Sequence, residues 1–161
     1  MTKISKILLV CLGNTARSPV AEYLARYYAK KKGENLNFES AGFMNAFSYM
    51  QPESQEYLNA KGIKHSDFRP QIINRKLLEK QDLIITMENA HAFEIKEKYY
   101  NIIDIEKKIF TLREFNGETE ELDIIDPYYT STTTYNKVLR IIDENIERMI
   151  NKIIHINKLN S

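Results

Sequence analysis

Apolar residues fall along this chain in two rhythms. From Ile4 to Val10, and again from Asp82 to Met87, they crowd into short runs rich in aliphatic and β-branched side chains. Runs of this length are the pattern of strands buried on both faces. Asn37 to Ala41 and Lys108 to Leu112 read as two further strands. From about Thr134 the rhythm changes. Val138, Ile141, Ile142, Ile146, Met149, Ile150 and Ile153 recur at helical spacing, which predicts a long amphipathic helix packed on the sheet.

Punctuation between these segments supplies the remaining elements. Gly13-Asn14 breaks the first strand into a loop, after which Ser18 suits an N-cap and Pro19 a first helical position, with the helix running towards Gly33. Pro52 to Ala60 reads as a helix closed by Gly62, and Glu88 to Tyr100 as another. Four strands alternating with helices predict one α/β domain over residues 1–161: a four-stranded parallel sheet with helices on both faces and a phosphate-binding loop after the first strand. In such folds ligands gather at the carboxyl ends of the strands, where helix N-termini offer free N–H groups to anions. Cys11 to Ser18 is placed there.

Composition narrows the partners. The chain has 161 residues, 43% hydrophobic, enough for one sizeable core. Its 23 Lys and Arg against 22 Asp and Glu leave a formal charge of +1, so no field points to nucleic acid or an anionic membrane. A single Cys permits no internal disulfide and leaves a thiol free for chemistry, which fits a reducing compartment. Lys3 and Lys6 precede the apolar run Ile7 to Leu12, but the run is short for a signal core and suits a buried strand. A cytoplasmic monomer without a membrane span is expected. His65, His91 and His155 are scattered without ligand spacing, so no metal site is expected.

The chemistry lies in Cys11-Leu12-Gly13-Asn14-Thr15-Ala16-Arg17-Ser18, of the form Cys-x5-Arg-Ser between a strand and a helix. A loop of this length can wrap one phosphate, with successive N–H groups on its oxygens, the thiol beneath phosphorus and Arg17 returning as a bidentate clamp. Gly13 permits the close turn. All these groups favour negative charge and therefore the thiolate of Cys11. Attack on phosphorus then needs a proton donor for the leaving group. Asp126, in Ile124-Ile125-Asp126-Pro127-Tyr128-Tyr129, is the candidate: Pro127 stiffens its loop, and Ile124 and Ile125 are expected to bury it in part. Asp126 would later accept a proton from the hydrolytic water, while the hydroxyl of Ser18 or Thr15 steadies the departing thiolate. The acidic stretch from Glu114 through Glu118, Glu120 and Glu121 to Asp123 reads as a solvated loop that could repel acidic substrates.

Together with Ser40-Ala41-Gly42, Met87-Glu88 and Asp-Pro-Tyr-Tyr before the last helix, the first loop resembles the low-molecular-weight protein tyrosine phosphatases over nearly the whole chain. The resemblance implies a metal-independent, cofactor-free phosphomonoesterase acting on phosphorylated proteins or peptides. It further implies that Asn14 and Ser40 hold the loop and that Tyr128 and Tyr129 flank the pocket. Three positions depart from the family. Ala16 stands where a second Cys is common. The aromatic wall near 46–49 is Phe47 or Tyr49, since the chain has no Trp. Thr15 replaces a bulky aliphatic residue and is similar to the protein-arginine phosphatases of the same fold. Phosphotyrosine hydrolysis is therefore the leading expectation and phosphoarginine hydrolysis the alternative. An arsenate reductase would need further cysteines for its thiol relay, and a phosphoprotein-binding module would be expected to lack Cys11, Arg17 or Asp126.

Overall fold

The computed structural model describes residues Met1–Ser161. Its sheet is built from β1 (Lys6–Val10), β2 (Asn37–Ala41), β3 (Leu83–Thr86) and β4 (Ile109–Thr111), all parallel, in the spatial order β2-β1-β3-β4. Alternation along each strand divides the core in two. Ile7 and Leu9, level with Leu83 and Ile85, face one layer, while Leu8 and Val10, with Ile84 and Ile109, face the other. The first layer holds α1 (Arg17–Lys31), α2 (Pro52–Ala60), α6 (Leu112–Phe115) and α7 (Thr132–Leu159). The second holds α3 (Arg75–Glu79), α4 (Asn89–Lys98) and α5 (Ile105–Lys108). The chain leaves β1 towards β2 and returns across it to β3. The end of β1 is therefore a topological switch point, where open α/β sheets form their ligand crevice.

Most expected elements are present, with instructive differences. The strand read from Ile4 begins at Lys6, because the main chain of Ile4 is taken by Asn157: Ile4 N donates to Oδ1 and Nδ2 donates to Ile4 O, each at 2.7 Å. The last strand shortens to three residues between the two short helices α5 and α6. Helix α3 had no apolar rhythm long enough to announce it, and is fixed instead by its cap, Asn74 Oδ1 accepting from Leu77 N at 2.8 Å. Ser18 is not the N-cap of α1. The helix begins at Arg17 behind Ala16, and the Ser18 hydroxyl is drawn to the loop instead. On α7, Ile141 is 38% exposed, whereas Tyr135 and Leu139 are buried with the remaining apolar stripe. No helix is long and apolar enough to cross a membrane.

One buried polar knot ties three helices of the first layer. Asp143 on α7 accepts the hydroxyls of Tyr28 on α1 and, at 2.6 Å, Tyr57 on α2, and pairs with Lys61 at 3.0 Å. Burial, then the hydrogen bond to Asp143, push both phenols well above their usual range, so they remain donors. Replacing Asp143 with Ala strands two hydroxyls in the interior. Asp143→Ala is expected to cost about 2–4 kcal/mol in urea unfolding and Tyr57→Phe about 1 kcal/mol, with unchanged m values.

Candidate active site

β1 ends in the core and the chain turns through residues 11–16 before α1 begins. Its left-handed residue is Asn14, with φ of 54°, rather than Gly13. Asn is among the few side chains that tolerate this region, and here it is also fixed: Nδ2 donates to Ser18 Oγ at 2.9 Å and Oδ1 accepts from Gln71 N at 3.0 Å. Gly13 is needed for space, since a Cβ there would sit 2.8 Å from Ala46 Cβ. Gly42 presses harder still. A Cβ on it would lie 2.8 Å from both Asn14 N and Leu12 O and 2.9 Å from the Gly13 carbonyl carbon. The loop rests directly on the backbone at the end of β2.

The backbone N–H groups of Leu12, Gly13, Asn14, Thr15 and Ala16 donate to no protein acceptor. Folded chains leave few such groups without a partner, and a run of them is the signature of an anion nest. At its root lies Cys11, buried, with Sγ 3.0 Å from Ser18 Oγ and accepting from Ser18 N at 3.4 Å. Thr15 makes no such contact, so Ser18 is the hydroxyl at the sulfur. Arg17 closes the ring. Its side chain is 1% exposed, and Nη1 donates at 2.6 Å to both Glu88 Oε2 and Ile124 O. Nε has no partner and Nη2 meets only Asp126 Oδ2, at 3.8 Å. One edge of the guanidinium is thus anchored and the other is free for two oxygens.

Of these residues, Cys11, Leu12, Gly13, Thr15, Ala16 and Arg17 line a pocket of about 180 Å³ with Asp126, Phe47, Tyr128, Gln51, Met44 and Ala46. The Phe47 and Tyr128 rings meet edge to face at 5.4 Å and form its aromatic wall. Tyr49 stacks behind Phe47 at 5.5 Å and lies outside the pocket. Tyr129 is 91% exposed and does not line it either; it only covers the outer face of Tyr128, at 4.0 Å. Asp126 is less buried than expected. Its side chain is 40% exposed, because Ile124 turns inwards but Ile125 lies 57% exposed. Oδ1 accepts from Tyr128 N at 3.0 Å, which sets the turn through Pro127 and leaves Oδ2 towards Arg17.

Ser40 does not touch the loop. Its hydroxyl donates to Glu22, and only its main-chain oxygen reaches the loop indirectly, through Gln71 Nε2 at 3.0 Å. Burial raises the pKa of Glu22. Several supports carried no signal of their own. Ser54 Oγ, paired with Tyr135 at 2.7 Å, donates to Ala16 O at 2.9 Å, and Gln51 N donates to Thr15 O at 2.8 Å. Glu88, which holds Arg17, was visible only as part of Met87-Glu88. The acidic stretch is partly structural: Asp123 Oδ1 accepts from Asn89 N at the start of α4, and Glu114 completes a capping box with Thr111. His91 packs on Phe43 at 4.9 Å, and burial holds its pKa below the usual value. No group of three or more His, Cys, Asp or Glu side chains converges in ligand geometry.

Residues 6–159 match the family described as low molecular weight phosphotyrosine protein phosphatase. The chain belongs to that family, and is a phosphatase of its kind. It is 30% identical to a probable low molecular weight protein-tyrosine-phosphatase of Ralstonia nicotianae, over 93% of this chain and 97% of the relative. It is also 30% identical to the protein-arginine-phosphatase of Bacillus subtilis, over 91% of this chain and 95% of the relative. Among solved structures, the low molecular weight protein tyrosine phosphatase from T. tengcongensis is similar with a TM-score of 0.82 and 31% identity, covering 92% of this chain and 99% of that one.

The Gly42 contact generates a test. Gly42→Ala must displace the loop backbone, and a misplacement on the order of 1 Å costs about 10²-fold in rate. The variant is expected to fold normally by circular dichroism, to lose about that factor in p-nitrophenyl phosphate hydrolysis and to bind inorganic phosphate more weakly. Unchanged activity would show that the loop does not depend on this seat.

Proposed function

We propose that the chain hydrolyses phosphotyrosine in proteins or peptides through a phosphocysteine intermediate. The observation that carries this reading is the run of backbone N–H groups from Leu12 to Ala16 that no protein group accepts, in a pocket lined also by Cys11 and by Arg17 with its free edge. Phosphate oxygens would occupy these donors, most strongly as charge builds on the equatorial oxygens in the transition state. Cys11 Sγ attacks phosphorus as the bond to the tyrosine oxygen breaks, and Asp126 gives that oxygen a proton. Water then attacks the phosphocysteine, Asp126 takes its proton, and the S–P electron pair returns to sulfur. The Ser18 hydroxyl at 3.0 Å supports the thiolate in both steps. The aromatic wall that Phe47 and Tyr128 form together gives a phenyl ring a surface to pack against.

Thr15 favours a second reading, phosphoarginine hydrolysis. It lines the pocket, it is buried, and its hydroxyl suits a polar reacting centre better than a branched aliphatic would. The family relatives named above act, by name, on one or the other substrate.

A side-by-side steady-state assay on phosphotyrosine and phosphoarginine peptides, with Cys11→Ser as the inactive control, decides between them. Phosphotyrosine is expected to be preferred, with measurable phosphoarginine turnover that Thr15→Ile suppresses while sparing phosphotyrosine. An unchanged ratio of the two kcat/KM values would remove Thr15 from specificity. Asp126→Ala is expected to lower kcat by roughly 10²–10⁴-fold on phosphotyrosine, and less on aryl phosphates with good leaving groups. Equal losses on both would reassign the proton donor.

A further inference from the structure

Beside the phosphate pocket lies a larger open hollow of about 490 Å³ that no step of the proposed reaction uses. The two share a wall. Phe47 and Gln51 face the pocket, whereas Tyr49 and Met50 face the hollow, with the Phe47 and Tyr49 rings 5.5 Å apart. The wall is pinned from both sides, by Gln51 N on Thr15 O at 2.8 Å and by Gln55 Nε2 on Met50 O at 2.6 Å. A chain seated with its phosphoresidue in the pocket therefore has the hollow within reach of its flanking residues.

The charge lining this hollow is one-sided. Lys64, His65 and Arg69 contribute to it, and no Asp or Glu does. Neither Lys64 nor Arg69 takes part in an ion pair, although Arg26, Lys61, Lys80 and Arg148 elsewhere each do. Arg69 Nη1 donates only to main-chain oxygens, of Ser66 at 3.2 Å and Phe68 at 2.6 Å. His65 shares a hydrogen bond with Asn59 at 2.8 Å. Asp67 is the acid nearest in sequence; its carboxylate accepts from Tyr23 at 2.7 Å, lies 3.8 Å from Arg26 and also feels the charge of Arg69, which leaves Lys64 as the cation of the hollow without an acidic neighbour.

We propose that this hollow is a recognition subsite for a carboxylate side chain of the substrate, so that the enzyme selects phosphopeptides with Asp or Glu a few residues from the phosphoresidue. The inference rests on the phosphopeptide reading above and adds a sequence preference to it. Lys64 and Arg69 are partners of opposite charge for such a side chain, and the amides of Gln55 and Asn59 are further polar groups in the same lining. Exposed pairs of this kind change affinity only by a few-fold each, which is enough to rank substrates and too little to bind them alone.

The test is a peptide series built on whichever phosphoresidue the enzyme hydrolyses, with Asp or Lys placed on one flank or the other, and p-nitrophenyl phosphate as the flankless control. On one flank, Asp is expected to exceed Lys in kcat/KM by roughly three- to tenfold, through KM, and the difference should fade at high salt. Lys64→Glu should abolish or reverse that preference while leaving p-nitrophenyl phosphate turnover unchanged. Arg69→Gln should weaken it, but that variant also loses two main-chain hydrogen bonds. Lys64, which makes none, is therefore the cleaner probe. Equal rates on acidic and basic flanks, or an acid preference that survives Lys64→Glu, with normal p-nitrophenyl phosphate turnover, overturns the subsite and leaves the phosphatase reading standing. Absence of turnover on every phosphate ester and phosphoarginine peptide overturns both.

Discussion

Backbone N–H groups seek acceptors, and keeping several in a row turned to one side without a protein acceptor requires the surrounding fold to fix the turn that carries them. That constraint organises this molecule. Asn14 takes the left-handed turn, Gly42 supplies a seat that no side chain can share, and Gln71, Gln51 and Ser54 spend their hydrogen bonds on the loop's side chains and carbonyls. None of these supports consumes the donors themselves. Arg17 obeys the same rule on a smaller scale: Glu88 and the Ile124 carbonyl hold one nitrogen, and the remaining edge makes no hydrogen bond, with only Asp126 nearby at 3.8 Å. A buried guanidinium held this way stays aimed without collapsing onto its own loop.

How far the sequence revealed this depends on whether a feature is local. Cys11, Arg17 and the loop between them could be found because the strand, the break at Gly13-Asn14 and the Arg at fixed spacing are all written within a few residues. The buried strands were legible for the same reason. Supports that come from distant segments were not. Nothing about Gln71 or Ser54 taken alone says that it meets residue 14 or residue 16, since those meetings exist only once the sheet has ordered its strands. Ser18 shows how a local rule can mislead. Ser before Pro is a sound helix-cap signal, but a thiol and an Asn amide 3.0 and 2.9 Å away outcompete the helix for its hydroxyl. The pocket wall was open between Phe47 and Tyr49 because both are aromatic, two residues apart, on a segment with no periodicity to orient them.

The pocket draws its lining from the turn after β1 and from loops that lie outside the sheet. In the proposed reaction the phosphate would sit in the turn after β1, whereas the wall around it comes from Met44, Ala46, Phe47, Gln51, Asp126 and Tyr128, joined by Thr15 of the turn itself. Those segments are loops outside the ladder of the sheet, so they can change composition without disturbing the donors beneath them. Such a division is consistent with a family whose members act on phosphate carried by quite different side chains.

The hydrogen bonds between Ile4 and Asn157 tie α7 to the start of β1, and Tyr135 reaches through Ser54 to Ala16 in the turn beyond the end of that strand. During synthesis, β1 and its loop leave the ribosome long before the residues of α7 that brace them. Contacts of such wide sequence separation form late, after the cost of closing the chain has been met. A nascent fragment holding the whole of Cys11 to Ser18 would thus carry the residues of the nest without its geometry. Competence for catalysis would arrive only when the last helix docks.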